Sequence, residues 1–217
     1  YGTLNVRSGQ FNAGGTLTTP LLTLKSTSIT QNGSIGVMPS PTSFIGFVKA
    51  ERYMDALGGT FRYISSPVKS SPSKPTGIDK IYAYSNGWVG ASTLEPGKGY
   101  AALVYNNAAV TWSVIGETNT DNAVWSFSAE GWYLIGNPYP SAIQWKDPVT
   151  NSASWSMTNI ATTIGITDNH SGSYPSYFKY YDYKGSNPGW GDGVIPNGTI
   201  AMGQAFWVYA GAGGSIT

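Results

Sequence analysis

The chain has 217 residues, of which only 11% are charged, and its formal net charge is +1. Its twelve lysines and arginines form no run that could follow a phosphate backbone, which argues against a nucleic-acid partner. No apolar stretch approaches the ~18 residues of a membrane span, and the lack of cysteine excludes disulfides, thiol nucleophiles and cysteine-ligated zinc.

Residues 1–43 are predicted to form an N-terminal β extension or linker. Short alternating runs such as Leu4 to Val6 and Leu17 to Leu24 read as strands. Pro20 lies inside the second run and predicts an edge or a bulge there, since proline cannot donate to a sheet ladder. Residues 29–43 are mostly Gly, Ser, Pro and Asn, and they predict a boundary before a main body that spans 44–217.

The main body contains a series of short apolar or alternating runs separated by Gly, Pro, Asn and Ser. One strong tight-turn signal, Asn86-Gly87, joins two of these runs. The pattern predicts strands and little helix. The predicted strands are Phe44 to Tyr53, Phe61 to Ile64, Ile78 to Tyr84, Trp88-Val89, Tyr100 to Tyr105, Val110 to Ile115, Ala123 to Phe127, Trp132 to Ile135, Ile160 to Ile166, Tyr177 to Tyr183 and Ala205 to Tyr209.

An internal repeat organises these strands. Four ordered pairs of phrases correspond: Phe61 to Ile64 with Trp132 to Ile135, Ile81 to Tyr84 with Phe178 to Tyr181, Trp88 with Trp190, and Gly97-Lys-Gly-Tyr100 with Gly203-Gln-Ala-Phe206. The second copy is longer, which predicts an insertion near 141–175. We therefore predict an all-β, jelly-roll-like sandwich of two related halves, 44–127 and 128–217, which share one core.

The aromatic residues of the repeat are predicted to be core material first of all. Trp88 and Trp190 occupy equivalent positions, which favours a shared packing role. Trp132, Tyr133 and Trp145 surround the phrase Gly136-Asn-Pro-Tyr-Pro140 and are expected to point into the interior. Burying a side chain of this size contributes about 2–3 kcal/mol.

Several phrases resemble a module of large exported surface proteins of Bacteroidota bacteria. The phrases are Leu22-Thr-Leu-Lys-Ser26, Val48-Lys-Ala-Glu-Arg-Tyr53 with Arg62-Tyr-Ile-Ser-Ser-Pro67, Gly97-Lys-Gly-Tyr100, Gly131-Trp-Tyr-Leu-Ile-Gly-Asn-Pro-Tyr-Pro140 and Gly203-Gln-Ala-Phe-Trp207. The resemblance implies an adhesin-like cargo of the type IX secretion system and an excerpt from a longer, outward-facing chain. It carries no catalytic residue with it, and residues 146–175 match nothing in it.

Catalysis is not predicted. The one histidine, His170, lies in a polar loop with no sign of a paired nucleophile. Glycoside hydrolysis needs two carboxylates about 5–9.5 Å apart, and Glu130 with Asp182 or Asp192 is the one pair that merits a test. We predict no cofactor; a structural calcium ion is an alternative whose weak candidates are Asp168, Asn187 and Asp192.

The expected function is that of a non-catalytic structural or adhesive module, extracellular or at the cell surface. Low charge with abundant Ser, Thr, Gly and Tyr favours that compartment. The expected partners are neighbouring domains of a longer chain and surface glycans or another surface protein, without membrane insertion. The alternative is a carbohydrate-binding module, since exposed aromatic rings stack on sugars. Its predicted ligand-binding residues are Trp155, Trp190, Tyr181, Tyr183 and Asp192.

Overall fold

The computed structural model describes residues 4–6, 9–11, 16–28, 31–36, 43–56, 61–105, 108–145, 155–167, 178–183 and 198–217. These residues form seventeen β-strands and no α-helix, which confirms the predicted all-β class. The first nine strands are β1 (Leu4–Val6), β2 (Gly9–Phe11), β3 (Thr16–Leu24), β4 (Gly33–Ile35), β5 (Ser43–Met54), β6 (Phe61–Ile64), β7 (Lys80–Tyr84), β8 (Trp88–Ala91) and β9 (Tyr100–Leu103). The others are β10 (Val110–Glu117), β11 (Trp125–Phe127), β12 (Gly131–Gly136), β13 (Ile143–Gln144), β14 (Met157–Thr167), β15 (Phe178–Asp182), β16 (Thr199–Ile200) and β17 (Ala205–Ile216).

The first sheet has the strand order β1-β3-β5-β10. Strands β1, β3 and β5 run parallel, and β10 is antiparallel to β5. The pairing of β3 with β5 shifts register between Thr19 and Leu21, so Pro20 lies in the irregularity that its missing N–H predicts. Leu22 and Leu24 of β3 are fully buried. Residues 16–24 are therefore an integral strand of the first sheet and not part of an extension or linker.

The second sheet is antiparallel, with the order β6-β9-β7-β8. One of its faces packs against the first sheet and encloses the first core, which is the larger part of the interior. Strand alternation explains the set, because every second residue of a strand points to the same face. Its large members include Leu22, Leu24, Val48, Met54, Ile64, Ile78, Ile81, Leu94, Tyr100 and Trp112.

The third sheet is organised around β17, the last strand of the chain. Strands β12 and β11 pair with one edge of β17, β14 pairs with the other edge, and β15 follows β14. All these pairs are antiparallel. The face of this sheet that carries Ile135, Ile164 and Phe206 encloses a second core. Trp145, next to the short β13–β16 pair, is 0% exposed in that core and donates its indole N–H to the Thr162 carbonyl at 2.8 Å.

The second and third sheets meet through a small third cluster made of Tyr63, Ala101, Leu134 and Ala205. Main-chain hydrogen bonds join them here, from Gly99 N–H to the Leu134 carbonyl at 3.1 Å and from Gly136 N–H to the Gly97 carbonyl at 2.9 Å. The close approach requires glycine at 99, because a Cβ there would lie 2.6 Å from Leu134 Cγ. The two sheets are thus fixed to each other along one line.

The predicted duplication has a counterpart in topology. The second sheet has the order β6-β9-β7-β8 and the third has β12-β17-β14-β15, with every pair antiparallel in both. In this comparison β14 occupies the place of β7, so the predicted match of Ile81 to Tyr84 with Phe178 to Tyr181 is wrong by one strand. The two halves and the jelly-roll topology are not confirmed and stay predictions.

Two details of the sequence prediction are corrected. The halves were expected to share one core, whereas the inner face of the second sheet packs on the first sheet and the third sheet encloses a separate core. The insertion near 141–175 was expected to form a surface loop, but residues 157–167 form the strand β14, which lies between β17 and β15. Apolar positions such as Ile164 and Ile166 explain why this segment is buried.

Candidate ligand-binding surface

Aromatic side chains from the second and third sheets gather where the two sheets meet. They lie on the faces of these sheets that turn away from the first and second cores. We call this group the aromatic platform. Its members are Phe61, Tyr63, Tyr82, Tyr84, Trp88, Trp132, Trp207 and Tyr209.

The β7–β8 hairpin builds one side of the platform. Asn86 and Gly87 have φ angles of 52° and 148°, as expected for the tight turn that their sequence predicts. The turn aligns Trp88 directly opposite Tyr84, and their rings are 5.3 Å apart in an edge-to-face arrangement. Such pairs stabilise the fold by about 0.5–1.5 kcal/mol beyond area burial. The turn therefore determines where the Trp88 ring lies.

Alternation along β17 and β12 builds the other side. Trp207 and Tyr209 are two residues apart and share a face, while Phe206 and Val208 point into the second core. Trp132 is opposite Tyr209 in the ladder, with the ring centroids 5.3 Å apart. The third sheet thus presents a row of three aromatic rings toward the second sheet.

Trp207 joins the two sides. Its ring centroid lies 4.8 Å from that of Tyr84, 6.0 Å from that of Trp88 and 5.8 Å from that of Tyr63, and all three pairs are edge-to-face. Each ring limits the rotation of the next, so the platform is held in a defined shape before any ligand arrives. Such preorganisation lowers the entropy cost of binding.

The outer members of the platform are open to solvent. Trp88 is 48% exposed, Trp132 is 47% exposed and Phe61 is 39% exposed. The expectation that Trp132 points into the interior is wrong, because its strand position puts it on the face opposite Tyr133. Trp88 is likewise not core material, although its partner rings are partly buried. Half-exposed indoles on a fixed base are a typical ligand-contact surface.

Polar groups surround the rings. The Tyr209 hydroxyl donates a hydrogen bond to the Glu130 carboxylate, which raises the pKa of Tyr209 above its ordinary value. Lys80 lies in register with Leu103, which is opposite Phe61, so its ammonium borders the platform. The indole N–H groups of Trp88, Trp132 and Trp207 donate to no other described residue. A bound molecule would therefore find free donors and a carboxylate beside the ring faces.

Three of the predicted ligand-binding residues lie elsewhere, around Trp145. The centroid of the Trp145 ring is 5.4 Å from that of Trp155 and 6.4 Å from that of Tyr183. Tyr181 packs against Gly198, which leaves no room for a Cβ. All three side chains are partly buried and pack on the second core. The structure thus brings these three together, in a packing arrangement, and their role in ligand binding stays a prediction.

The other predicted site residues, Trp190 and Asp192, fall outside the described residues, as do His170 and the calcium candidates Asp168 and Asn187. Across the described ranges, no three His, Cys, Asp or Glu side chains come together in a way that could hold a metal ion. Calcium binding therefore stays a prediction.

The carboxylate pair Glu130 and Asp182 is not brought together by the sheet. Glu130 directly precedes β12 and Asp182 ends β15, and the order β12-β17-β14-β15 places three strand spacings between them. At ~4.8 Å per spacing the backbones are about 14 Å apart, which is wider than the ~9.5 Å upper limit for a hydrolase pair. Glu130 instead binds the hydroxyl of Tyr209.

The platform could have been found from the sequence by two signals. The alternation in β7 and β17 predicts that Tyr82 and Tyr84, and likewise Trp207 and Tyr209, share a face. The second signal, the direct opposition of Trp132 and Tyr209, depends on which strands pair, and a single sequence does not give that pairing.

Among the described residues, no helix is long and apolar enough to span a membrane. Comparisons with protein-family models, with curated proteins and with solved structures give no match.

Proposed function

We propose that this chain is a non-catalytic adhesive module of a secreted or cell-surface protein, and that it adheres to carbohydrate through the aromatic platform. The observation that carries the proposal is the pair of half-exposed indoles, Trp88 at 48% and Trp132 at 47%, on a base of interlocked rings. Surface glycans would be the ligands, and neighbouring domains of a longer chain would be the structural partners.

The chemistry of the platform favours a sugar over other ligand classes. A pyranose ring presents a flat C–H face that stacks on an indole, and its hydroxyls need donors and acceptors at the rim. The free indole N–H groups and the Glu130 carboxylate provide these at the edge of the rings. A nucleic acid would need several cations along a track, whereas Lys80 is the cation that this face of the second sheet provides within the described strands.

A non-catalytic role is supported by the placement of the acidic groups. Glu130 is engaged with Tyr209, and Asp182 lies three strands away in the same sheet. A hydrolase pair would have to face one sugar linkage from two sides.

The test is a glycan-array screen followed by calorimetric titration of the best ligand. We expect Trp88→Ala and Trp132→Ala each to weaken binding about tenfold or more, since every tenfold change corresponds to about 1.4 kcal/mol. Phe47→Ala is the matched control, because Phe47 is an aromatic residue of similar exposure, 49%, on the first sheet. It should leave the affinity unchanged.

Two outcomes would contradict the proposal. One is the absence of binding to any glycan at high protein concentration. The other is a glycan whose affinity falls as much in Phe47→Ala as in the two tryptophan variants. Loss of binding in Trp155→Ala alone would instead support the alternative set of ligand-binding residues around Trp145.

A further inference from the structure

A positively charged side chain is buried in the first core without a partner. Arg52 lies on β5 between Ala50 and Met54, on the face that packs against the second sheet, and the residue is 8% exposed. Its guanidinium forms no hydrogen bond or ion pair with another described residue. Burial lowers the pKa of Arg52 to about 10, so the group remains charged at neutral pH. Buried charges in proteins are ordinarily paired or hydrogen-bonded.

A second unsatisfied donor lies directly beside it. Trp112 of β10 is the ladder partner of Arg52, so the two side chains are neighbours on one face of the sheet. Trp112 is 1% exposed, and its Nε1 has no acceptor among the described residues. Both side chains pack on the same turn, since a Cβ on Gly203 would lie 3.0 Å from Trp112 Cη2 and 3.3 Å from Arg52 Cγ.

The charges around this pair are unbalanced. Arg62 of β6 faces the first core from the second sheet, is 3% exposed, and donates to the Phe61 carbonyl at 3.0 Å. The buried carboxylate of the first sheet, Glu51, points to the opposite face of β5, where it pairs with Lys25 and Lys49, each at 3.2 Å. The described residues therefore bring two positive charges to this region and no negative charge.

We propose that Arg52 and Trp112 bind a small monovalent anion of halide size between the first and second sheets. The guanidinium provides the charge and several N–H donors, and the indole N–H provides one more. A small anion fits this position because both residues are nearly inaccessible, and a monovalent one loses less hydration on burial than a dianion does. An anion that binds only the folded chain must stabilise it.

The first test compares thermal unfolding in sodium bromide and in sodium gluconate at equal ionic strength. We expect bromide to raise the Tm of the wild-type protein by several degrees, and we expect Arg52→Met to abolish that difference. Lys69→Met is the control, because it removes an exposed cation whose side chain is 52% accessible and should keep the bromide response. An equal bromide response in the wild type and in Arg52→Met would overturn the proposal, since general salt effects act on both.

The second test is a crystal of the wild-type protein grown in bromide. We expect an anomalous peak within hydrogen-bonding distance of the Arg52 guanidinium and of Trp112 Nε1. Water or a protein carboxylate at that position would contradict the proposal. Trp112→Phe keeps a ring but removes the N–H, so it should reduce the bromide-dependent rise in Tm. This variant and the crystal decide the matter if Arg52→Met does not fold.

Discussion

At the scale of single residues, Asn137 explains why the phrase Gly136-Asn-Pro-Tyr-Pro140 reads as the most distinctive part of the chain. The residue is 0% exposed. Its amide nitrogen donates to the Ser141 carbonyl at 2.7 Å and to the Ala201 carbonyl at 3.1 Å, and its side-chain oxygen accepts from the Tyr139 N–H at 3.0 Å. One side chain therefore joins the end of β12 to the turn before β17.

We predict that Asn137→Ala lowers the free energy of unfolding by about 3 kcal/mol or more. Each buried group left without its partner costs about 1–3 kcal/mol, and the alanine leaves several carbonyls unsatisfied. Urea denaturation measures the change. Asn122→Ala is the control, because Asn122 is exposed and its replacement should change stability by less than ~0.5 kcal/mol. Equal stability of the two variants would contradict the role given to Asn137.

A second prediction at this scale concerns the Tyr209 phenol. Its hydrogen bond to Glu130 raises the pKa of Tyr209 above 10.0 in the folded chain, followed by smaller effects of desolvation and of the Glu130 charge. The stabilisation that this bond provides is present below the unfolded-state pKa and is lost as pH rises through the folded-state pKa. Glu130→Gln should lower the pKa of Tyr209, which an ultraviolet titration of tyrosinate detects. An unchanged titration curve would show that the hydrogen bond is not formed.

At the scale of elements, strand existence was easier to predict than strand neighbours. Runs such as Phe61 to Ile64, Ala205 to Tyr209 and Trp132 to Ile135 alternate clearly and form strands where the sequence predicts them. The register is different, because it depends on residues far apart in the chain. Ile164 pairs with Val208 and Tyr181, which no local pattern reveals. The same limit hid the platform and misplaced β14.

We predict that β14 is essential to the third sheet, although it lies in the predicted insertion. Ile164 of β14 is 0% exposed in the second core, so Ile164→Ala should lower the free energy of unfolding by about 2–5 kcal/mol. Val124 is 63% exposed, and Val124→Ala should cost less than ~0.5 kcal/mol. Urea denaturation of both variants provides the comparison. A small effect of Ile164→Ala would mean that β14 is not packed as a central strand.

At the scale of the whole molecule, three sheets enclose two cores and meet in an aromatic surface. The sequence predicts the all-β class, since alternation and turn residues are local signals. It does not predict that the first core forms between β3, β5 and β10 and the second sheet, because the parallel pairing of β3 with β5 is nonlocal. The consequence for function is that the exposed rings lie between two sheets and not in the 141–175 segment.

The central claim is that ligand contact occurs on the aromatic platform, and the indole N–H region of a two-dimensional ¹H–¹⁵N NMR spectrum tests it most directly. Titration with the glycan selected by the array should shift the assigned indole signals of Trp88, Trp132 and Trp207. The signals of Trp112 and Trp145, which are 1% and 0% exposed, should stay in place. A titration that shifts Trp155 and leaves Trp88 and Trp132 unmoved would contradict the account.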